Sequence, residues 1–320
     1  MDTTRLKKRF GYGLAFGFLV IVGFSIWGDF RQLQDQLIQF QWGLLPLIFL
    51  CTLLGYALRF VKWELYLRTL QIRLTIRESA VVFLSGLAMT ITPGKAGELL
   101  KASFLQRLKN TPFERAAPIV VAERVTDLVA MLLLAGWGLT RFSEGIWLLV
   151  LTSIVLLSGM IILQFRGLCQ RLMDRLRKML KSKGHWVDRI ERFYDSSFVL
   201  FRFSTFALTS LISVISWLFE CLAFHLIFSG LGLTQPFVDA VYIFSFSTIA
   251  GAVSMLPGGL GIAETSMVRL LIGIGVESGE ALVATLFGRF ATLWFGVFLG
   301  IVVWFGWGNR LIQKKGEERQ

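Results

Sequence analysis

Histidine and cysteine are scarce in this sequence, with two and three in 320 residues. His185 lies in a basic stretch and His225 in an apolar one, while Cys51, Cys169 and Cys221 stand far apart without a CxxC or Cys/His spacing. That argues against a zinc or haem centre and against a disulfide framework. No metal and no cofactor is expected. A Walker-type phosphate loop is missing, so a nucleotide is not expected to drive the protein. Also missing is the alternation of polar and apolar residues that a transmembrane barrel requires, because the apolar runs are continuous. Proline numbers only six, and charge is rare inside the apolar runs. Wherever either one interrupts such a run, it is informative.

What is present is hydrocarbon. The chain is 55% hydrophobic, its mean hydropathy is +0.65, and several uncharged runs approach twenty residues. Such a chain is an all-α polytopic membrane protein. The net charge of +12 is sorted by loop rather than spread. Lys and Arg gather at 1–9, 59–79, 107–115, 166–203 and 309–320, whereas the alternate loops hold only Arg31 and Arg141. This positive-inside pattern places both termini in the cytoplasm. Topology and attraction to anionic lipid account for the basic excess, and no nucleic acid is needed. The first apolar run follows a basic start but lacks a small-residue cleavage site, so it reads as a retained span.

About six full spans are expected, at 10–28, 42–60, 113–140, 145–165, 205–229 and 279–308, with Arg59, Lys62 and Arg68 marking the cytoplasmic end of the second. Two further apolar segments do not fit as crossings. Residues 80–92 are about half the required length and stop at Pro93 and Gly94; residues 237–256 stop at Pro257 and Gly258. Each has flanks of one kind, basic for the first and acidic for the second, so each reads as a re-entrant helical hairpin, 80–106 from inside and 237–275 from outside. The chain then divides into a first span and outer loop (1–41), a first unit (42–140), a connecting span with a basic amphipathic segment (141–204), a second unit (205–308) and a tail (309–320). The two units share the order span, broken hairpin, span with arginine, in opposite orientations, which makes an inverted repeat. The basic segment 166–202 is expected to lie on the anionic inner leaflet.

The breaks carry the chemistry. TPGKAGELLK, from Thr92 to Lys101, and LPGGLGIAE, from Leu256 to Glu264, both read PGxxG followed by a glutamate, and Arg124 and Arg289 follow their prolines by 31 and 32 residues. Proline ends one half-helix, Gly94, Gly97, Gly258, Gly259 and Gly261 allow tight backbone approach, and the next half-helix offers free amides and a positive dipole end. An anionic group could be held there by Lys95, Lys101, Arg124 and Arg289. Glu98, Glu123, Asp127 and Glu264 could pair with those cations or take up protons. Intramembrane charge marks function by default, although four cations and four acids could also neutralise one another as helix-to-helix glue. Arg124 and Asp127, three apart, could form a structural pair on their own. Glu220 and His225 read as interior polar contacts.

At PGKAGELLK, AERVTDL, PGGLGIAE and GRF the sequence resembles the flippase-like membrane domain family, over nearly the whole chain. This domain forms the N-terminal membrane half of lysylphosphatidylglycerol synthases, the multiple peptide resistance factors, and occurs alone in small bacterial and archaeal membrane proteins. In the first motif the family often has arginine where this chain has Lys95 and Lys101, which keeps the charge but loses the bidentate fork. The resemblance implies a prokaryotic inner-membrane protein that moves an anionic or modified lipid between leaflets. It also implies no enzyme activity, since the synthases carry a soluble aminoacyl-transfer domain after the membrane half and this sequence ends at Gln320. Stand-alone members are associated with lipids as different as hopanoids and polyprenyl-linked sugars, so the substrate stays open. A membrane-embedded lipid-modifying enzyme, with Glu98 or Glu264 as base, and a non-catalytic subunit of an envelope-lipid pathway are the alternatives.

Overall fold

A computed structural model describes residues 30–92, 97–139, 141–142, 145–179 and 184–308. The expected first span at 10–28, the tail 309–320, and Pro93, Gly94 and Lys95 lie outside the described residues. Everything described is helical or connecting, with no strand among the described residues. Among the described residues, four helical stretches are long and apolar enough to cross a bilayer: Trp42–Thr69, Ile146–Gln164, Phe203–Gly230 and Ser278–Trp307. The chain is a multi-pass helical membrane protein.

A short helix α1 (Phe30–Gln39) leads through Trp42 into α2 (Leu45–Thr69), which opens with Pro46 in its first turn, where the missing N–H costs nothing. At 1.5 Å per residue its 25 residues reach about 38 Å, more than the ~30 Å hydrocarbon thickness. It therefore does not end near Phe60, and Arg59 and Lys62 are not at its cytoplasmic end. Both sit inside the bundle, a correction to the sequence reading with consequences for the site.

Helix α3 (Ile76–Leu87) begins at a reciprocal cap: the Glu78 N–H donates to Thr75 Oγ1 at 3.3 Å, and the Thr75 N–H to Glu78 Oε2 at 2.9 Å. Its 12 residues span only about 18 Å. A tighter turn, Ala88–Ile91, carries it to the first break, beyond which α4 (Leu100–Lys109) runs to Asn110 in the left-handed conformation. Helix α5 (Phe113–Gly138) follows Pro112 and holds Glu123, Arg124 and Asp127. After it come α6 (Ile146–Gln164), α7 (Arg166–Met179), α8 (Gly184–Leu200) and α9 (Phe203–Gly230).

The second half repeats the order. Helix α10 (Phe237–Val253) starts after Pro236 and stops at the second break; α11 (Ile262–Gly273) leaves it, and α12 (Ser278–Arg289) and α13 (Phe295–Val303) form the last long helix. Within that helix Phe290–Trp294 and Trp304–Gly308 are wound as π-helix. At the second break Gly258, Gly259 and Gly261 have φ of 61°, 68° and 88°, a region closed to most side chains.

Packing follows the same doubling. Helix α2 lies along α9, α5 along α10, and α13 along α3. In lipid such contacts are held by close packing rather than by exclusion of water. Gly300 shows how close: a Cβ there would stand 2.7 Å from the Leu84 carbonyl oxygen and 3.0 Å from Ala88 Cα. Two buried clusters result, one around Phe224, Phe228, Tyr242 and Phe244, the other around Trp63, Tyr66, Phe83 and Leu105. Helix α6 stands apart, with only Leu149 and Thr152 buried. Helix α8 docks on α5, burying Val187 and Leu200, with Arg189 and Glu114 paired at 3.0 Å.

Candidate functional site

The described parts of the two broken segments come together. A Cβ added to Gly258 would lie 3.7 Å from Ile91 Cα, so the tip of the second broken segment rests on the end of the first. Beside them is a cavity of about 280 Å³, with wall residues from α2, α3, α4, α5 and α9 to α13. Phe83 comes from one buried cluster, Trp217 and Phe244 from the other.

The polar wall is a set of ion pairs. Arg124 Nη2 stands 3.2 Å from Glu98 Oε2 and 3.3 Å from Asp127 Oδ2. Lys101 Nζ meets Glu123 Oε2 at 2.9 Å, over the rings of Trp63 and Phe83 at 5.1 and 5.2 Å. Lys62, 1% exposed, donates to Asp127 Oδ1 at 2.6 Å, Ser213 Oγ at 2.7 Å and Thr126 Oγ1 at 3.3 Å, which ties α2, α5 and α9 at one ammonium. Arg59 donates to Glu220 Oε1 at 2.8 Å and Ser216 Oγ at 3.2 Å, with its guanidinium 4.0 Å from the centre of the Trp217 ring. Tyr56 donates its hydroxyl to the Thr292 carbonyl in the π turn. These pairs match five cations to five carboxylates once Arg289 and Glu264 are added.

Not every group is satisfied. Glu98 Oε2, Asp127 Oδ2, Arg124 Nε and Trp217 Nε1 are buried without a hydrogen-bond partner among the described residues; the first two lie at ion-pair distance from Arg124 but are misaligned for hydrogen bonding. Native proteins rarely leave such groups idle in an apolar setting. Arg124 keeps 31% of its side chain exposed, the most of the five cations, so it is the one most open to a ligand. Two carboxylate oxygens, one guanidinium Nε–H and one indole N–H thus lack a hydrogen-bond partner among the described residues.

Of the site residues expected from sequence, Glu98, Lys101, Glu123, Arg124, Asp127, Gly258, Gly259 and Arg289 line this cavity. Gly97 does not; it is buried and donates its N–H to Thr92 Oγ1 at 2.8 Å. Pro257, Gly261 and Glu264 are not in its wall either. At the second break one backbone amide and both oxygens of the glutamate are already engaged. The Gly261 N–H donates to Glu264 Oε2 at 2.6 Å, Arg289 Nε to Glu264 Oε1 at 2.5 Å, and Arg289 Nη2 to the Gly258 carbonyl at 2.7 Å. Glu264 therefore occupies the helix N-terminus as its own anion.

Sequence reasoning missed Arg59 and Lys62, assigned to a loop, and undervalued Glu220, whose contact crosses to α2 and also faces the cavity. Arg59 and Lys62 are three apart and so share a helix face. That spacing was the available signal. His225, by contrast, packs against Phe228 and Phe237 and does not reach the cavity.

Comparison with known proteins agrees with this architecture. A UPF0104 membrane protein of Methanothermobacter thermautotrophicus is 24% identical, the match covering 92% of each chain. One from Methanocaldococcus jannaschii is 22% identical over 95% of this chain and 96% of its own. One from Pyrococcus horikoshii is 25% identical over 75% and 80%. Residues 13–300 match the family described as the lysylphosphatidylglycerol synthase TM region, and the chain belongs to that family.

Proposed function

We propose that this protein moves an anionic or modified lipid between the leaflets of a prokaryotic cytoplasmic membrane, holding the headgroup in the charged cavity between the two breaks. The observation that carries this reading is the meeting of two broken helices at one cavity whose buried polar groups are not all satisfied. Broken helices that meet between repeats of opposite orientation are a recurrent plan of secondary transporters. The doubled packing, α5 on α10 and α13 on α3, supports such an inverted repeat, with six spans and hairpins entering from opposite sides. Both termini are then cytoplasmic, and the basic segment 166–202 faces the anionic inner leaflet.

Arg124 is the headgroup anchor in this scheme. A phosphate entering the cavity competes with Glu98 and Asp127 for its guanidinium, and Trp217 Nε1 supplies a further donor. The released carboxylates then become sites for a proton or for an ammonium on the same lipid. An embedded lipid-modifying enzyme would need a carboxylate free to act as base; Glu264 is held by both Arg289 and the Gly261 N–H, which leaves Glu98, 3.2 Å from Arg124, as the candidate for that reading.

The test is leaflet exchange of fluorescent phosphatidylglycerol in proteoliposomes, read by dithionite quenching. Exchange should exceed that of protein-free vesicles and fall about tenfold in Arg124→Ala, the equivalent of ~1.4 kcal/mol. Folded protein that moves neither phosphatidylglycerol nor a polyprenyl phosphate overturns the reading.

A further inference from the structure

A second cavity, of about 400 Å³, shares Arg289 with the first. Its walls include Trp42 from the turn before α2, Leu45 and Phe49 from the start of α2, Leu260 from the second break, and Phe287 and Trp294 from the last long helix. Phe40 stacks on Phe287 at 5.0 Å and Trp42 meets both rings edge-on, which forms an aromatic cluster at the α1 end. The charged groups in its wall are Glu264 and Arg289, and they spend their hydrogen bonds on each other, on Gly258 and on Gly261. The rest of the wall is aromatic and aliphatic, and the Trp42 indole N–H is spent on the Leu37 carbonyl at 3.1 Å.

The contrast between the two cavities is that of the two ends of a lipid. One is lined by ion pairs with unsatisfied donors and acceptors, the other by aromatic and aliphatic side chains, and one guanidinium borders both. An apolar concavity in a membrane-spanning chain is filled by hydrocarbon, and a close-fitting wall gains dispersion contacts that a convex helix surface does not. Helix α6 supplies that convex comparison, with Leu151, Ile154 and Val155 exposed along it. We infer that the second cavity holds the hydrocarbon chain of the amphiphile whose headgroup enters the first, with Arg289 at the junction. This rests on the lipid reading above and adds that the chain is recognised along with the headgroup.

The test uses the whole protein in phosphatidylcholine nanodiscs with a trace of phosphatidic acid bearing a terminal diazirine on one acyl chain. After photolysis and digestion, adducts should concentrate on residues 42–50 and 286–294, about tenfold above residues 148–158 of α6, a ratio worth ~1.4 kcal/mol. Excess unlabelled long-chain phosphatidic acid should remove that excess, and soluble glycerol phosphate should not. Leu45→Trp, which fills the cavity, should cut labelling there about tenfold while α6 labelling holds. The competition, run on the native protein, decides the matter if that variant does not fold.

Even labelling of α6 and the cavity overturns the inference, as does labelling that competitor leaves unchanged, or protein-to-protein crosslinks at 42–50 that show a second copy in the cavity. A diazirine phosphatidylcholine that labels the same peptides as strongly leaves the chain site standing and removes the anionic-headgroup reading instead. The two claims therefore fail separately.

Discussion

Lys62 places one ammonium among three helices, against Asp127 and two hydroxyls, with almost no exposure. Breaking a buried pair from one side leaves an uncompensated charge, so Lys62→Met should cost about 3–5 kcal/mol. Lys62→Met with Asp127→Leu should recover most of that loss, read as the thermal midpoint of the detergent-solubilised protein. A double variant no more stable than the single one would show that the pair is not the cause. Arg124, Glu98, Asp127 and Arg289 were legible because a charge within a long apolar run stands out. Arg59 and Lys62 were not, because they fall just before Arg68 and satisfy a positive-inside count equally well. What separates the two readings is the partner: Asp127 lies 65 positions along the chain from Lys62, and Glu220 161 from Arg59. No local pattern carries that.

The broken segments are the elements that sequence identifies best, since proline and clustered glycine leave few alternatives. Their interior is less legible. LPGGLGIAE shows glycines and a glutamate but not that the glutamate returns to its own helix N-terminus, which needs Arg289 in place. The glycines also differ in kind. A Cβ at Gly259 would meet the backbone of Gly251 at 2.9 Å in addition to a positive φ, whereas Gly261, with φ 88° and ψ −59°, has open space around it. Gly261→Ala should therefore cost only the conformational term, about 1–3 kcal/mol. Gly259→Ala adds overpacking, a further ~1–3 kcal/mol. Thermal unfolding of the two variants side by side checks this, and equal losses would refute it. Thr75 and Glu78, a T-x-x-E pair at the start of α3, are a helix start that could have been read from sequence and was not.

At the scale of the molecule, burial separates helices that hold the site from one that bridges. Helix α9 has Phe224 fully enclosed, while Leu151 on α6 is 61% exposed. Phe224→Ala should cost ~3–5 kcal/mol, and Leu151→Ala no more than about 0.5 kcal/mol. Stability measured in one detergent tests the contrast; comparable losses would mean that α6 is covered by something else. Membrane class follows from composition, and the stop of α10 ahead of Pro257 from punctuation. Which helices lie against each other does not, because that depends on surfaces brought together across the whole chain. Gly300, where α13 presses on the backbone of α3, turns this into advice for anyone scanning the protein for activity. It lines neither cavity, and any side chain there wedges the last long helix away from the first break. A dead variant at Gly300 would look like a hit on substrate recognition and would in truth report a lost clearance, so dose–response to substrate, not loss alone, is what distinguishes a ligand from a spacer.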